Sequence, residues 1–202
     1  TTKRVVNLVV PGRFSMKKAE LFALQHKDWI RTKLAELPEP VPFSHGMEIP
    51  VFGKARQLDI RLDKGLKLTN ITLNNNAITV MTNQDNPAGR ITRFLKNEAR
   101  DTLSNLAREK AVEIGKTIPG IQIRDPKSRW GSCAPDGRIC FSWRLIFAPW
   151  EAMDYVVAHE VAHLVHMNHG KQFWALCARL CEDYQGGKHW MRNTGHELMR
   201  YG

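Results

Sequence analysis

The feature that most constrains this chain is the run His159-Glu160-Val161-Ala162-His163, which His169 follows. Two histidines four residues apart lie on one face of a helix, with Cβ atoms about 6 Å apart, so both rings can reach one metal ion. In an HExxH pattern the glutamate beside the first histidine acts as general base on metal-bound water. The run therefore predicts a metal-dependent hydrolytic centre.

The residues around this motif are apolar, namely Val156, Val157, Val161, Leu164 and Val165. Two imidazoles and a carboxylate inside so apolar a helix are costly unless they are paired or bind a metal. The alternative is a chance match in which the histidines are satisfied within the core. The apolar flanks favour the metal site over that alternative.

The composition is that of an ordinary globular protein. With 202 residues, 43% hydrophobic and 25% charged, the chain can form one domain, or one domain with a small extension. No apolar run approaches the roughly 20 residues that span a bilayer, and no export signal is present, so we expect no membrane association and a cytoplasmic location. Four cysteines are too few for a disulfide scaffold.

The net charge of +10 is concentrated in residues 1–100, which hold 17 Lys and Arg against 9 Asp and Glu. Such a surplus favours anionic partners, including nucleotides and nucleic acid. A dense basic block or an aromatic-interleaved stripe is absent from the sequence, so nucleic acid is the less favoured partner.

The first part of the chain predicts an N-terminal α+β extension, residues 1–82. Turn residues and the change from helical to alternating periodicity mark its elements. They are a strand at 4–10, a helix at 16–36, a proline-rich connection at 38–42, and an antiparallel meander of strands at 47–52, 56–62, 66–73 and 77–82.

The second part, residues 83–202, predicts the catalytic domain. Its expected elements are a long helix at 88–115, a strand at 121–124, a hairpin over 127–145 with a turn at Asp136-Gly137, the HExxH helix at 149–166, a helix at 170–182 and a last helix at 189–199. The predicted fold class is α+β. If the hairpin turn has two residues, Cys133 and Cys140 face each other across it.

A catalytic zinc usually has three protein ligands. His166 lies on the same face as His159, but the helix rises about 10 Å over seven residues, which is too far for convergence on one ion. His169, beyond the expected helix end, and Glu182, on the next helix, both remain candidates for the third ligand.

A family resemblance rests on the segments Ser128-Arg129-Trp130-Gly131-Ser132-Cys133, Trp143-Arg144-Leu145 and His169-Gly170-Lys171-Gln172-Phe173-Trp174, together with the HExxH run. They resemble the YgjP-like predicted metal-dependent hydrolases, which are related to SprT-like zinc proteases. The resemblance implies a zincin-like core with a long helix, an antiparallel sheet and the HExxH helix. It implies Zn²⁺ bound by His159, His163 and His169, with Glu160 as the acid/base.

We expect a zinc-dependent metallopeptidase acting on a peptide or protein. The hairpin residues Arg129, Trp130, Gly131 and Ser132 are the candidate substrate-binding residues, since an extended peptide could pair with that strand edge. The candidate oxyanion donors are Arg129, Arg144, Tyr155 and His189.

Two alternatives remain open. One is a metal-dependent nucleoside triphosphate hydrolase in which Lys127, Arg129, Arg138 and Arg144 hold phosphates. A Gly-rich phosphate loop is missing from the sequence, which weakens this alternative. The other is a nucleic-acid-associated zinc adaptor without catalysis, against which Glu160 argues because a structural zinc site does not need it.

Overall fold

A computed structural model of the protein describes residues 6, 8–35 and 39–202. Within them the architecture is α+β, with a four-stranded and a three-stranded sheet. The α-helices are α1 (Met16–Gln25), α2 (Lys27–Ala35), α3 (Ala88–Glu113), α4 (Trp150–Ala162), α5 (Lys171–Leu180) and α6 (Tyr184–Asn193). The strands are β1 (Glu48–Val51), β2 (Lys54–Leu62), β3 (Asn70–Leu73), β4 (Ala77–Thr82), β5 (Ile121–Arg124), β6 (Gly131–Cys133) and β7 (Ile139–Ser142). Two 3₁₀ helices span Trp143–Phe147 and Gly195–Arg200.

The four-stranded sheet is not the antiparallel meander predicted for residues 47–82. Its order is β1-β2-β4-β3, and β2 runs parallel to β4. After Leu62 the chain crosses to the far edge before β3 forms, and a turn then returns it to the centre as β4. That turn is stabilised by the Asn74 side chain, which accepts hydrogen bonds from the backbone N–H groups of Asn76 and Ala77.

The N-terminal elements also differ from prediction. The helix predicted at 16–36 forms as two helices, α1 and α2, separated at His26, whose ring nitrogen lies 2.8 Å from the Phe22 carbonyl oxygen. The strand predicted at 4–10 does not form at Val6 or residues 8–10. Its other positions, and the end of the predicted helix at residue 36, lie outside the described residues.

Helix α3 packs on α4, as its long apolar stripe predicted. The stripe of α3 is buried along its length, from Ile91 to Ala111. A buried ion pair joins the two helices, because Lys110 Nζ lies 2.6 Å from Asp154 Oδ1. The helix predicted at 88–115 is therefore confirmed, together with its partner.

The three-stranded sheet has the order β5-β7-β6 and is mixed, not purely antiparallel, because β5 runs parallel to β7. The hairpin of β6 and β7 forms, but its loop spans residues 134–138 instead of two residues. Cys133 consequently pairs with Ile139, and Cys140 pairs with Ser132. The four cysteines are free thiols.

The C-terminal region has more helix than predicted. Helix α5 lies within the predicted range of 170–182. The helix predicted at 189–199 is replaced by α6 and the second 3₁₀ helix. The earlier start is explained by Asp183, whose side chain caps α6 by accepting from the Gly186 N–H at 2.8 Å.

One buried hydrophobic cluster joins both sheets to α3 and α4. The turn between β1 and β2 reaches the segment before α4, since the Phe52 N–H donates to the Ile146 carbonyl oxygen at 2.8 Å. The division between residues 1–82 and 83–202 stays a prediction. In the part of the chain that the structure describes, none of the helices has the length and apolar character needed to span a membrane.

Candidate metal centre

Helix α4 positions two of the candidate ligands. It begins after Pro149, whose fixed φ suits a helix start, and Glu151 in its first turn complements the positive end of the helix dipole. Most of the circumference of α4 is buried, including Ala152, Val157 and Val161. The helix was predicted to end at residue 166, but it ends at Ala162, so His163 lies at its C-cap.

His159 in the last turn of α4, His163 at its C-cap and His169 after it lie close together in space. One ligand atom from each ring lies within 4.8 Å of the others. The Nε2 atoms of His159 and His169 are 3.1 Å apart. His169 is brought back over α4 because the chain turns after residue 162 and restarts as α5 after Gly170.

A hydrogen bond fixes the orientation of His163. Its Nδ1 atom lies 3.0 Å from the carbonyl oxygen of His166. A carbonyl oxygen can only accept, so Nδ1 carries the proton and the lone pair of Nε2 is free for a metal. His166 thus contributes its backbone to the site.

Aromatic rings surround the three imidazoles. The Phe173 ring centroid lies 4.9 Å from that of His159, 4.6 Å from that of His163 and 4.7 Å from that of His169. Trp174 stacks on His169 at 5.4 Å. Both aromatic residues belong to the first turn of α5, so this helix restricts the rotamers of the histidines.

His159 and His163 are held in the neutral form that binds metal. Burial lowers the pKa of His159 to about 4, and the neighbouring His163 and His169 rings add to the effect. Burial also lowers the pKa of His163. At neutral pH each of these two rings therefore presents a lone pair to the space between them.

The donor set fits a tetrahedral divalent cation such as zinc. Bonds of 2.0–2.1 Å to two nitrogens at a tetrahedral angle place those nitrogens about 3.3 Å apart. The measured separation of 3.1 Å between Nε2 of His159 and Nε2 of His169 is close to this value. Without an ion, these two nitrogens can share one N–H in a hydrogen bond, whereas a cation between them would use both lone pairs.

Glu160 is buried against strand β6. A Cβ atom added to Gly131 would lie 2.6 Å from both Cγ and Oε1 of Glu160, so only glycine leaves room for this carboxylate. Burial raises the pKa of Glu160 to about 7, while the charge of Arg129 and a backbone hydrogen bond from Cys133 lower it. A cation at the three histidines would further favour the ionised carboxylate.

A family model described as the YgjP-like metallopeptidase domain matches residues 1–194. This chain belongs to the YgjP-like family. Membership supports a metal-dependent hydrolase, and the three histidines could hold the ion that it implies.

The protein is also similar to the crystal structure of the metallopeptidase zymogen of Pyrococcus abyssi abylysin. The identity is 20%, the match covers 46% of this chain and 95% of that chain, and the TM-score is 0.40. A likeness at this level supports no argument about function. No curated protein matches the chain.

Glu182 was the rival candidate for the third ligand of this YgjP-like chain, and His166 had been excluded by the helix rise. Within the described ranges, neither His166 nor Glu182 belongs to the group of converging ligand atoms. The Glu182 side chain is exposed, and its backbone N–H donates to Asp154 Oδ2 at 3.2 Å. Glu182 therefore joins α5 to the buried ion pair of α3 and α4.

Arg144 is excluded as an oxyanion or phosphate donor at this site. It is buried, forms an ion pair with Asp125, and donates from Nε to the Tyr201 carbonyl oxygen at 3.0 Å. From the sequence, Arg144 looked available to bind a substrate because it follows a strand. The C-terminal segment that covers it is distant along the chain.

The remaining candidates are divided between the surface and the site. Lys127 and Arg138 are exposed, and Arg138 pairs with Asp136 at 2.8 Å. His189 is exposed and contacts Asn193 on α6. Tyr155 is half-buried one helical turn before His159, with the ring centroids 6.0 Å apart.

The predicted substrate-binding residues border two pockets beside Glu160. Trp130 and Gly131 line a shallow pocket of about 180 Å³ together with Tyr155, His159 and Met191. Arg129, Gly131 and Ser132 line a larger groove of about 450 Å³. Gly131 borders both pockets.

Met191 and Arg124 line these pockets and were not predicted as site residues from the sequence. Met191 reaches the site from α6, and only the packing of α6 against α4 shows this. Arg124 on β5 borders the larger groove. The sequence placed Arg124 in an alternating strand beside the hairpin, which could have suggested a role at the groove. Only the parallel pairing of β5 with β7 shows that it reaches the groove.

Proposed function

We propose that this protein is a zinc-dependent metallopeptidase with a zincin-like core, in which His159, His163 and His169 hold the ion and Glu160 is the general base. The observation that carries the proposal is the convergence of three ligand nitrogens within 4.8 Å, next to a glutamate that Gly131 accommodates. The long helix α3, the sheet β5-β7-β6 and the helix α4 would form the zincin-like core.

When bound, a zinc ion would supply Lewis acidity, which lowers the pKa of a water molecule and polarises a substrate carbonyl. The imidazoles of His159, His163 and His169 would hold it, with Nδ1 of His163 fixed by the His166 carbonyl. Phe173 and Trp174 exclude bulk water from one side of the imidazoles, which strengthens electrostatic interactions within the site.

Glu160 moves the proton in the proposed reaction. Its carboxylate accepts a proton from water while the water oxygen bonds to the carbonyl carbon of the substrate. It then passes that proton to the departing nitrogen as the C–N bond breaks, which yields a carboxylic acid and an amine that ionise to carboxylate and ammonium. The buried position of Glu160 and its elevated pKa suit a group that must both accept and release a proton.

Strand β6 would bind the substrate. It lies at the edge of its sheet, so its outer backbone groups can pair with an extended peptide. A peptide bound there would pass Gly131. Because glycine has no side chain, nothing at this position would block the approach of Glu160 to the peptide. Tyr155, half-buried and one turn from His159, is our candidate for the donor that stabilises the oxyanion.

The decisive experiment compares the wild-type protein with Glu160→Gln on unfolded proteins, internally quenched peptides and nucleoside triphosphates. We expect peptide cleavage that a chelator abolishes and added zinc restores. Glu160→Gln should keep the metal and lose about 10²–10⁴-fold in kcat. Retained peptidase activity in Glu160→Gln would contradict the general-base role, and turnover of nucleotides alone would replace the peptidase proposal.

A further inference from the structure

The three-stranded sheet has one face toward α4 and one open face. Ile139 and Phe141 of β7 are buried on the face toward α4. A Cβ atom at Gly131 would project from the same face toward Glu160. The positions between them point the other way, because side chains alternate along a strand. Pairing across the strands brings Gln122, Cys140 and Ser132 into one row on the open face.

A groove of about 450 Å³ lies over this open face and extends around the β6 edge to Gly131. Three of its lining residues are arginines, Arg124, Arg129 and Arg138, and its described lining contains no aspartate or glutamate. Arg138 is paired with Asp136, but the side chains of Arg124 and Arg129 have no ion-pair or hydrogen-bond partner among residues 6, 8–35 and 39–202. The groove thus presents two guanidinium groups without a direct partner, and the charge of Arg129 also acts on Glu160 across the β6 edge.

The groove and the candidate metal centre lie on opposite sides of the same edge strand. Gly131 borders the groove and also the shallow pocket that contains His159 and Glu160. A peptide added along β6 continues the alternation of the sheet, so a side chain directed at the α4 face is followed by one directed at the open face. That next side chain reaches the arginine-lined groove.

We propose that this groove is a specificity subsite for an acidic side chain of the peptide substrate, bound through Arg124 and Arg129. The inference rests on the proposed function. It adds that the residue next to the one facing Glu160 is preferentially Asp or Glu. Guanidinium groups bind carboxylates through paired N–H donors, so a glutamate is favoured over an isosteric glutamine at that position.

The test uses internally quenched peptides that carry Glu, Gln or Lys in turn at each position near the cleaved bond. At one position we expect Glu to exceed Gln roughly threefold to tenfold in kcat/KM, and Lys to be worst, as suits partly exposed charge pairs. Arg124→Gln and Arg129→Gln should each reduce the ratio of Glu to Gln. Arg108→Gln, which removes an exposed arginine of α3 outside the groove, should leave the ratio unchanged.

A second measurement does not depend on turnover. Fluorescence anisotropy gives the affinity of the same peptides for the metal-loaded Glu160→Gln protein. We expect tighter binding of the Glu peptide, a loss of that preference in the additional Arg124→Gln variant, and weakening by salt.

The outcomes separate the two proposals. Cleavage without a preference for Glu at any position would overturn the subsite and leave the peptidase. Charge-selective binding that Arg124→Gln abolishes, without cleavage of any peptide, would support the subsite and overturn the peptidase. Binding of a nucleoside triphosphate with equal affinity for the Glu and Gln peptides would also overturn the subsite.

Discussion

At the scale of single residues, the close approach of Gly131 to Glu160 determines where the carboxylate can lie. We expect Gly131→Ala to displace the Glu160 side chain, since the new Cβ atom would lie within 2.6 Å of its Cγ and Oε1 atoms. A shift of about 1 Å in a general base costs about a hundredfold in rate. Steady-state kinetics on a cleaved peptide should therefore show a large fall in kcat, with the metal content unchanged.

The matched control for this variant is Gly89→Ala near the start of α3. A Cβ atom at Gly89 meets nothing within 4 Å, so the same chemical change should leave kcat as it is. If Gly131→Ala were as active as Gly89→Ala, the position inferred for Glu160 during turnover would be wrong.

At the scale of elements, a buried ion pair holds α3, α4 and α5 together. Lys110 pairs with Asp154 and donates to the Leu180 carbonyl oxygen, while Asp154 accepts from the Glu182 N–H. Lys110→Met leaves the buried Asp154 carboxylate without its cation, so we expect a loss of about 3–5 kcal/mol in the free energy of unfolding. Urea denaturation measures this loss of unfolding free energy.

The double variant Lys110→Met/Asp154→Leu serves as the control for this prediction. Replacing both charges by apolar side chains removes the unpaired carboxylate, so it should be less destabilised than Lys110→Met alone. An equal or larger loss in the double variant would show that the single variant is destabilised by something other than the unpaired charge.

Several elements could be predicted because the sequence pattern that specifies each one lies within a single segment. The apolar stripe of α3, the strand β5 and the HExxH helix α4 follow from periodicity within one segment. The spacing of His159 and His163 likewise required only the pitch of a helix. His169 was chosen over Glu182 by resemblance to a family, since its position depends on the turn between α4 and α5.

Most of the errors concern information that is distant along the chain. The parallel pairing of β2 with β4 and of β5 with β7 depends on crossover paths that periodicity does not encode. One error is local, because the helix break at His26 involves its ring nitrogen and the Phe22 carbonyl four residues earlier. The role of Arg144 could not be inferred locally, because the acceptor at Tyr201 is 57 residues away.

At the scale of the whole molecule, Arg144 connects three distant segments. It pairs with Asp125 after β5, lies over the Trp143 ring at 5.1 Å, and donates to the carbonyl of Tyr201 in the C-terminal segment. We expect Arg144→Met to lower the free energy of unfolding by about 2–3 kcal/mol, because the Tyr201 carbonyl loses a charged donor and Asp125 its cation. Thermal unfolding of the metal-loaded protein measures this loss.

Arg61→Gln is the control for Arg144→Met, since Arg61 also pairs with an aspartate, Asp59, but on the exposed surface of β2. Solvent screens that pair, so no resolvable change in the unfolding midpoint is expected. Equal effects of the two substitutions would contradict the connecting role of Arg144.

We propose that His159, His163 and His169 together bind one catalytic ion, and the metal content of purified variants shows whether they do. Elemental analysis after dialysis should find one zinc per chain in the wild-type protein and in Glu182→Ala, and a large loss in His169→Ala. These results follow if the ligand nitrogens that lie within 4.8 Å of one another are the zinc ligands. Full zinc in His169→Ala together with loss of zinc in Glu182→Ala would contradict the account.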